Sequence, residues 1–180
     1  FKFTDEDVKR IKEEIGVPED KKVILYTPTW RDNQFKKGEG FQYNTELDFN
    51  KLMQQLGDEY VLLFRAHHQI GFKDVANDVP GVIDVTLVDD VNDLYIISDL
   101  MITDYSSVAF DFAYLRKPIV YSQFDRDSFF SGAHSYTEGY FDYERDGFGE
   151  VEHTLDGTVD RIIEYMADGC QMKEEYRKRM

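Results

Sequence analysis

The sequence predicts an α/β fold built on a doubly wound parallel sheet, and three observations carry that prediction. Apolar runs at 22–26, 60–64 and 100–102 lack polar alternation, as expected of strands buried on both faces. Between them lie segments whose apolar residues recur every three or four positions, which is the helical period. Four polar clusters, at 27–32, 65–68, 89–90 and 103–107, follow strands at their carboxyl ends, the edge at which open α/β sheets bind ligands.

The elements follow in order. Thr4 with Asp5, Glu6 and Asp7 caps a helix whose apolar positions are Val8, Ile11 and Ile15, and Gly16 and Pro18 end it. The central strand 22–26 runs into a polar turn with Thr27, Thr29, Arg31 and the chain's single tryptophan, Trp30, read as either a core or a lid residue. The loop 34–47 exceeds the usual length of a strand-to-helix connection, which points to function. Asp48 caps a helix bearing Phe49, Leu52, Met53 and Leu56, and Gly57 stops it. Strand 60–64 ends in Arg65-Ala66-His67-His68. Residues 71–81 are a mixed loop or short helix, and 82–85 form the third strand. Asp89 and Asp90 lead into a helix with Val91, Leu94, Tyr95 and Ile97.

The stretch 98–116 organises the rest. Strand 100–102 enters the hydroxyl-rich turn 103–107, and from Val108 the apolar spacing is helical, with Ser106 or Ser107 as N-cap. Arg116 and Lys117 sit where cations oppose the dipole's negative end, and Pro118 ends the helix. A strand turning through two serines into a helix gathers N–H groups and hydroxyls at one point: an anion site, or a plain capped turn. Its place beside the other three polar clusters favours the former. Strand 118–121 follows, for five strands in all; 122–150 is aromatic and acidic without a clear period. Residues 154–169 form a helix with Val159, Ile162, Ile163 and Met166 inward, and 171–180 read as a charged, frayed helical tail.

Composition sets outer limits. The 180 residues suit a single domain, 1–180, with 1–19 and 170–180 at its periphery, and 42% hydrophobic content supports a core. A net charge of −15 argues against nucleic-acid partners and a polybasic membrane anchor. No apolar run has the roughly 20 residues of a membrane span. One cysteine, Cys170, leaves no disulfide framework, so the expected compartment is a reducing cytoplasm. The chain opens on Phe1 without a start methionine and reads as a piece of a longer protein.

Three blocks resemble a known family: Tyr26-Thr27-Pro28-Thr29-Trp30-Arg31-Asp32, then Phe64-Arg65-Ala66-His67, then the long run from Asp93 to Ala113 that contains Thr103-Asp104-Tyr105-Ser106-Ser107. They are similar to the CDP-glycerol:poly(glycerophosphate) glycerophosphotransferases of teichoic acid synthesis, across about residues 20 to 165. His68 departs from the pattern, standing where these enzymes commonly carry proline, and the region after Phe141 departs as well.

The resemblance implies a Rossmann-like, donor-binding half, similar to the C-terminal half of a GT-B transferase. Such enzymes move glycerol phosphate, or ribitol phosphate in related members, from a CDP-alcohol to a growing chain and release CMP. The implied partners are therefore CDP-glycerol or a similar CDP-alcohol, and a poly(glycerol phosphate) acceptor reached through the missing half. The expected place is the cytoplasm, with the parent protein peripheral on the inner face of the cell membrane and no insertion by this segment. No cofactor or metal is expected; Asp89 and Asp90 read as a solvated cap.

The chemistry distributes roles accordingly. Ser106 and Ser107 would hold the diphosphate, and Arg65 suits phosphate oxygens as a fixed cation. His67 would hydrogen-bond the diphosphate or protonate the departing CMP, unless it is a structural histidine. Asp111, a helical turn beyond Ser107, would reach ribose hydroxyls or be merely a solvated helix acid. Thr29 and Arg31 would contact phosphate from the neighbouring strand end, and Asp104 would brace the serine turn. His134 and His153 receive no role. Two other readings compete: the donor half of a UDP-sugar glycosyltransferase or epimerase, and a receiver-like regulatory module. The latter lacks the acid pair it needs at the end of the first strand.

Overall fold

The structure is a computed structural model, and it describes residues 2–29, 35–36, 40–41, 47–66, 79–133 and 139–180. Helix α1 (Asp5–Ile15) begins in a reciprocal cap: the Thr4 hydroxyl accepts the Asp7 N–H at 3.2 Å, and the Asp7 carboxylate accepts the Thr4 N–H at 2.8 Å. Gly16 closes it at φ +84°, a left-handed conformation that glycine adopts without a side-chain clash. Lys12 then pins the link to the sheet, donating to the carbonyls of Glu19 at 3.1 Å and Lys21 at 2.6 Å.

Strand β1 (Lys22–Thr27) is followed by a two-stranded antiparallel ribbon, β2 (Phe35–Lys36) and β3 (Gly40–Phe41). Helix α2 (Phe49–Leu56) leads to β4 (Tyr60–Phe64), then β5 (Val82–Asp84), α3 (Val91–Ile97), β6 (Leu100–Thr103), α4 (Val108–Ala113) and β7 (Ile119–Ser122). Short helical turns follow at α5 (Arg126–Ser128), a π-type turn at Phe129–Ala133, and α6 (Tyr143–Asp146). Strand β8 (Gly149–Glu152), α7 (Leu155–Ala167) and α8 (Glu174–Arg177) complete the chain.

The main sheet has the order β5-β4-β1-β6-β7-β8, with every neighbouring pair parallel. Successive side chains of β1 point to opposite faces, and both faces are covered. Ile24 and Tyr26 pack with Leu52 and Leu56 of α2 and Ile162 of α7. Val23 and Leu25 pack with Ile11 of α1, Leu94 of α3 and Phe112 of α4. That double burial is why β1, β4 and β6 read as unbroken apolar runs.

Four expectations need correction. Among the described residues the sheet has six strands, not five. The sixth, β8, is Gly-Glu-Val-Glu at an edge, half-exposed and charged, and so lacks an apolar run. Gly149 permits its pairing, because a Cβ there would lie 1.8 Å from the Ile119 carbonyl oxygen.

Helix α4 ends at Ala113, before the cations. Arg116 takes a left-handed φ of +55°, and Lys117 crosses to cap α3 instead, donating to the carbonyls of Tyr95 at 3.1 Å, Ile96 at 2.7 Å and Ser98 at 2.6 Å. Burial holds the Lys117 ammonium down to about 8.

The tail is docked rather than frayed. Met172 and Tyr176 are buried, Lys173 pairs with Glu150 and Glu164, and Arg179 donates to the carbonyls of Glu144 at 3.0 Å and Gly147 at 2.8 Å. Finally, Ser107 holds the N-cap position of α4 with helical angles (φ −66°, ψ −13°) and makes no side-chain cap.

Candidate functional site

The strand order reverses between β1 and β6, and the crevice beyond their carboxyl ends is where a doubly wound sheet receives a ligand. The two ends are laced together. The Thr103 hydroxyl donates to the Thr27 carbonyl at 2.9 Å, and the Thr27 hydroxyl to the Ile102 carbonyl at 3.5 Å. One residue beyond β6, the buried Asp104 carboxylate accepts the Thr29 N–H at 3.0 Å, the Thr29 hydroxyl at 2.6 Å and the Tyr105 N–H at 2.6 Å. A buried carboxylate persists only when donors surround it, and here those donors come from both sides of the switch point. One residue beyond β7, Gln123 adds a bond from Nε2 to the Asp104 carbonyl at 3.1 Å.

Asp104 thus braces the turn, chiefly through Thr29. The Thr29 hydroxyl hydrogen is committed to Asp104 and the residue is buried, so Thr29 shapes the turn instead of offering that hydrogen to a phosphate. Ser106 is half-buried, and its Oγ accepts a long bond from the Val108 N–H at 3.5 Å. Ser107 is exposed, with its hydroxyl unused by the helix. Asp111 is exposed in the first turn of α4.

Arg65 directly follows β4, the other neighbour of β1, and its N–H extends the ladder to the Tyr26 carbonyl at 2.9 Å. Its Nη1 donates to the carbonyls of Val85 at 3.0 Å and Val88 at 2.7 Å, tying the loop before α3 to the sheet. That uses one nitrogen of a guanidinium with five donor hydrogens. Arg65, Thr29 and the two serines therefore stand at the ends of three adjacent strands, β4, β1 and β6. Trp30, Arg31, His67, His68 and His134 lie outside the described residues.

Asp90 caps α3, accepting the Asn92 N–H at 2.9 Å. Among the described residues no cluster of His, Cys, Asp and Glu is arranged to hold a metal ion. His153 is exposed beside Glu144 at 2.9 Å. Gln123 and the aromatic wall around Tyr105 have no counterpart among the sequence-derived candidates; their only signal was aromatic density in 122–150. They border a cavity of about 250 Å³ next to the serine turn.

Comparison with known proteins bears on the family and the fold. The family model described as CDP-Glycerol:Poly(glycerophosphate) glycerophosphotransferase matches residues 1–180. The teichoic acid poly(glycerol phosphate) polymerase of Bacillus subtilis (strain 168) is 36% identical over 159 residues, 88% of this chain and 21% of the relative. The teichoic acid glycerol-phosphate transferase of Staphylococcus aureus (strain NCTC 8325 / PS 47) is 36% identical over 157 residues, 87% of this chain and 39% of that protein. The solved structure of the wall teichoic acid polymerase TagF superposes with a TM-score of 0.78 at 34% identity, covering 97% of this chain and 41% of that one. The chain thus spans between about a fifth and two-fifths of these proteins.

Proposed function

The chain belongs to the CDP-glycerol:poly(glycerophosphate) glycerophosphotransferase family, and on that premise we propose that it binds the nucleotide donor of such a transferase. The enzyme moves glycerol phosphate, or ribitol phosphate, from a CDP-alcohol to a growing poly(alditol phosphate) chain and releases CMP. One observation carries the reading: Asp104 clamps the ends of β1 and β6 at the switch point, and beside it neither Ser106 nor Ser107 commits its hydroxyl to a firm cap on α4.

Phosphoryl transfer depends on positioning and charge neutralisation more than on covalent help. In this reading the serine hydroxyls and the Arg65 donors other than Nη1 hold the diphosphate oxygens, and Asp111 faces the ribose hydroxyls. An acceptor hydroxyl attacks the phosphorus that carries the alcohol; the bond from that phosphorus to the bridging oxygen breaks, and CMP leaves with that oxygen. His67 hydrogen-bonds the diphosphate or protonates the leaving CMP, and Arg31 contacts phosphate from the end of β1. Thr29 and Asp104 position the turn. The acceptor, and the base that takes its proton, belong to a second half facing the crevice. The parent protein works at the inner face of the cell membrane; no helix among the described residues is long and apolar enough to cross it.

Calorimetric titration of the 180-residue chain with CDP-glycerol, CDP and UDP, with and without magnesium, tests the donor. CDP-glycerol and CDP bind, UDP binds more weakly, and magnesium changes little. Preference for UDP would favour a UDP-sugar enzyme instead. A CMP-release assay with a glycerol-phosphate acceptor tests the half-enzyme reading: the chain alone binds and does not turn over, and acceptor-dependent turnover would overturn it.

A further inference from the structure

The cavity beside the serine turn lies past the carboxyl ends of β6 and β7, among Tyr105, Gln123, Phe130, Phe141, Asp142 and Glu144. Tyr105 is the residue between Asp104 and Ser106, so the space begins one residue from the hydroxyls assigned to the diphosphate. We infer that this cavity receives the alcohol end of the donor, a short alditol, and that its walls set which alditol is accepted. The inference rests on the donor reading above.

The rings argue against a nucleobase here. Tyr105 stacks on Phe129 with centroids 3.9 Å apart and planes at 17°, so that face is occupied. Phe130 and Tyr143 meet Tyr105 edge to face, at 76° and 86°, and Phe141 meets Tyr143 at 88°. A flat base gains from an open, parallel ring face, and this interlocked set offers edges. An aliphatic chain carrying hydroxyls needs no such face.

The polar groups point the same way. Asp142 caps α6 with Oδ1 and Glu144 meets His153 with Oε1, and their other carboxylate oxygens would repel a second phosphate yet accept hydrogen bonds readily from hydroxyls. The size also fits. At about 250 Å³ the cavity is several times larger than a single water needs (~30 Å³ at most), which admits a small polyol. The wall is held by the protein itself: Phe129 is wholly buried and Gln123 is fixed by its bond to Asp104. Such a site loses little entropy in ordering.

Phe130 is partly exposed, so it can be changed without emptying a buried core position. Affinities for CDP, CDP-glycerol and CDP-ribitol are measured calorimetrically for the unaltered chain, Phe130→Trp and Phe130→Ala, with a thermal melt of each. Filling the cavity with Phe130→Trp weakens CDP-glycerol by on the order of tenfold and leaves CDP unchanged. Widening it with Phe130→Ala shifts preference toward CDP-ribitol by a similar factor. Unchanged ratios of CDP-glycerol to CDP in both folded variants would overturn the inference. Parallel loss of CDP would place the nucleoside in the cavity and overturn it equally. An unaltered chain that binds no CDP would remove the donor reading itself, a result distinct from either.

Discussion

The Thr29 hydroxyl donates to the Asp104 carboxylate at 2.6 Å, joining two residues 75 positions apart across the point where the strand order reverses. The same carboxylate takes the Thr29 and Tyr105 N–H groups, so one buried charge sets the backbone on both sides of the crevice.

Asp104→Asn keeps the shape and removes the charge, leaving an amide that cannot accept all three donors. Hydrogen bonds to charged groups contribute about 1.5–3 kcal/mol each, so urea unfolding registers a loss of that order and CDP affinity falls with it. A variant as stable and as avid as the parent would show that the brace does not matter.

Replacing Ser106 and Ser107 together by alanine weakens CDP binding by on the order of 1–3 kcal/mol, the scale of hydrogen bonds to a charged group. Stability barely moves, because neither hydroxyl makes a firm cap on α4. Calorimetry paired with a denaturation curve separates the two effects, and intact CDP affinity would remove the serines from the site.

Lys117 predicts a pH dependence of stability. Its ammonium is held down to about 8 by burial, against 10.5 for the free group. Between those values the unfolded chain binds more protons than the folded one, so this contribution to stability rises with pH. Below about pH 8 both states are protonated and the contribution is flat at its lowest. The difference in unfolding free energy between the parent and Lys117→Met therefore grows in the parent's favour from pH 8 toward 10.5. A flat or falling difference would refute the shift.

Gly149→Ala drives a methyl group into the Ile119 carbonyl oxygen, from which a Cβ would lie 1.8 Å. Relief means parting β8 from β7, at roughly 1–3 kcal/mol for a forced steric insertion. Hydrogen exchange should show the edge amides of 149–152 losing protection while those of β1 keep theirs. Unaltered protection at the edge would mean the backbone yields more easily than this pairing implies.

Much of this protein was legible along the chain because the signals are local. A strand covered on both faces must be apolar throughout, so β1, β4 and β6 declared themselves, and the 3.6-residue period did the same for α1, α2, α3 and α7. The serine turn and the blocks that carry the family resemblance are likewise contiguous, and their order fixed the fold class. What only the tertiary structure decided is where separate elements meet. β8 is a strand because Gly149 lets a charged segment pair with β7, and no property of Gly-Glu-Val-Glu says so. Lys117 looked like a cap for its own helix and serves α3 instead, since its stem reaches three carbonyls 19 to 22 residues earlier. Thr29 reads along the chain as a phosphate contact, whereas in the fold Asp104 holds its hydroxyl. The cavity around Tyr105 draws its walls from three separate stretches of chain. Periodicity records which face of an element is buried, whereas hydrogen-bond partners and cavities arise from distances between elements, and those come into being only when the sheet is assembled.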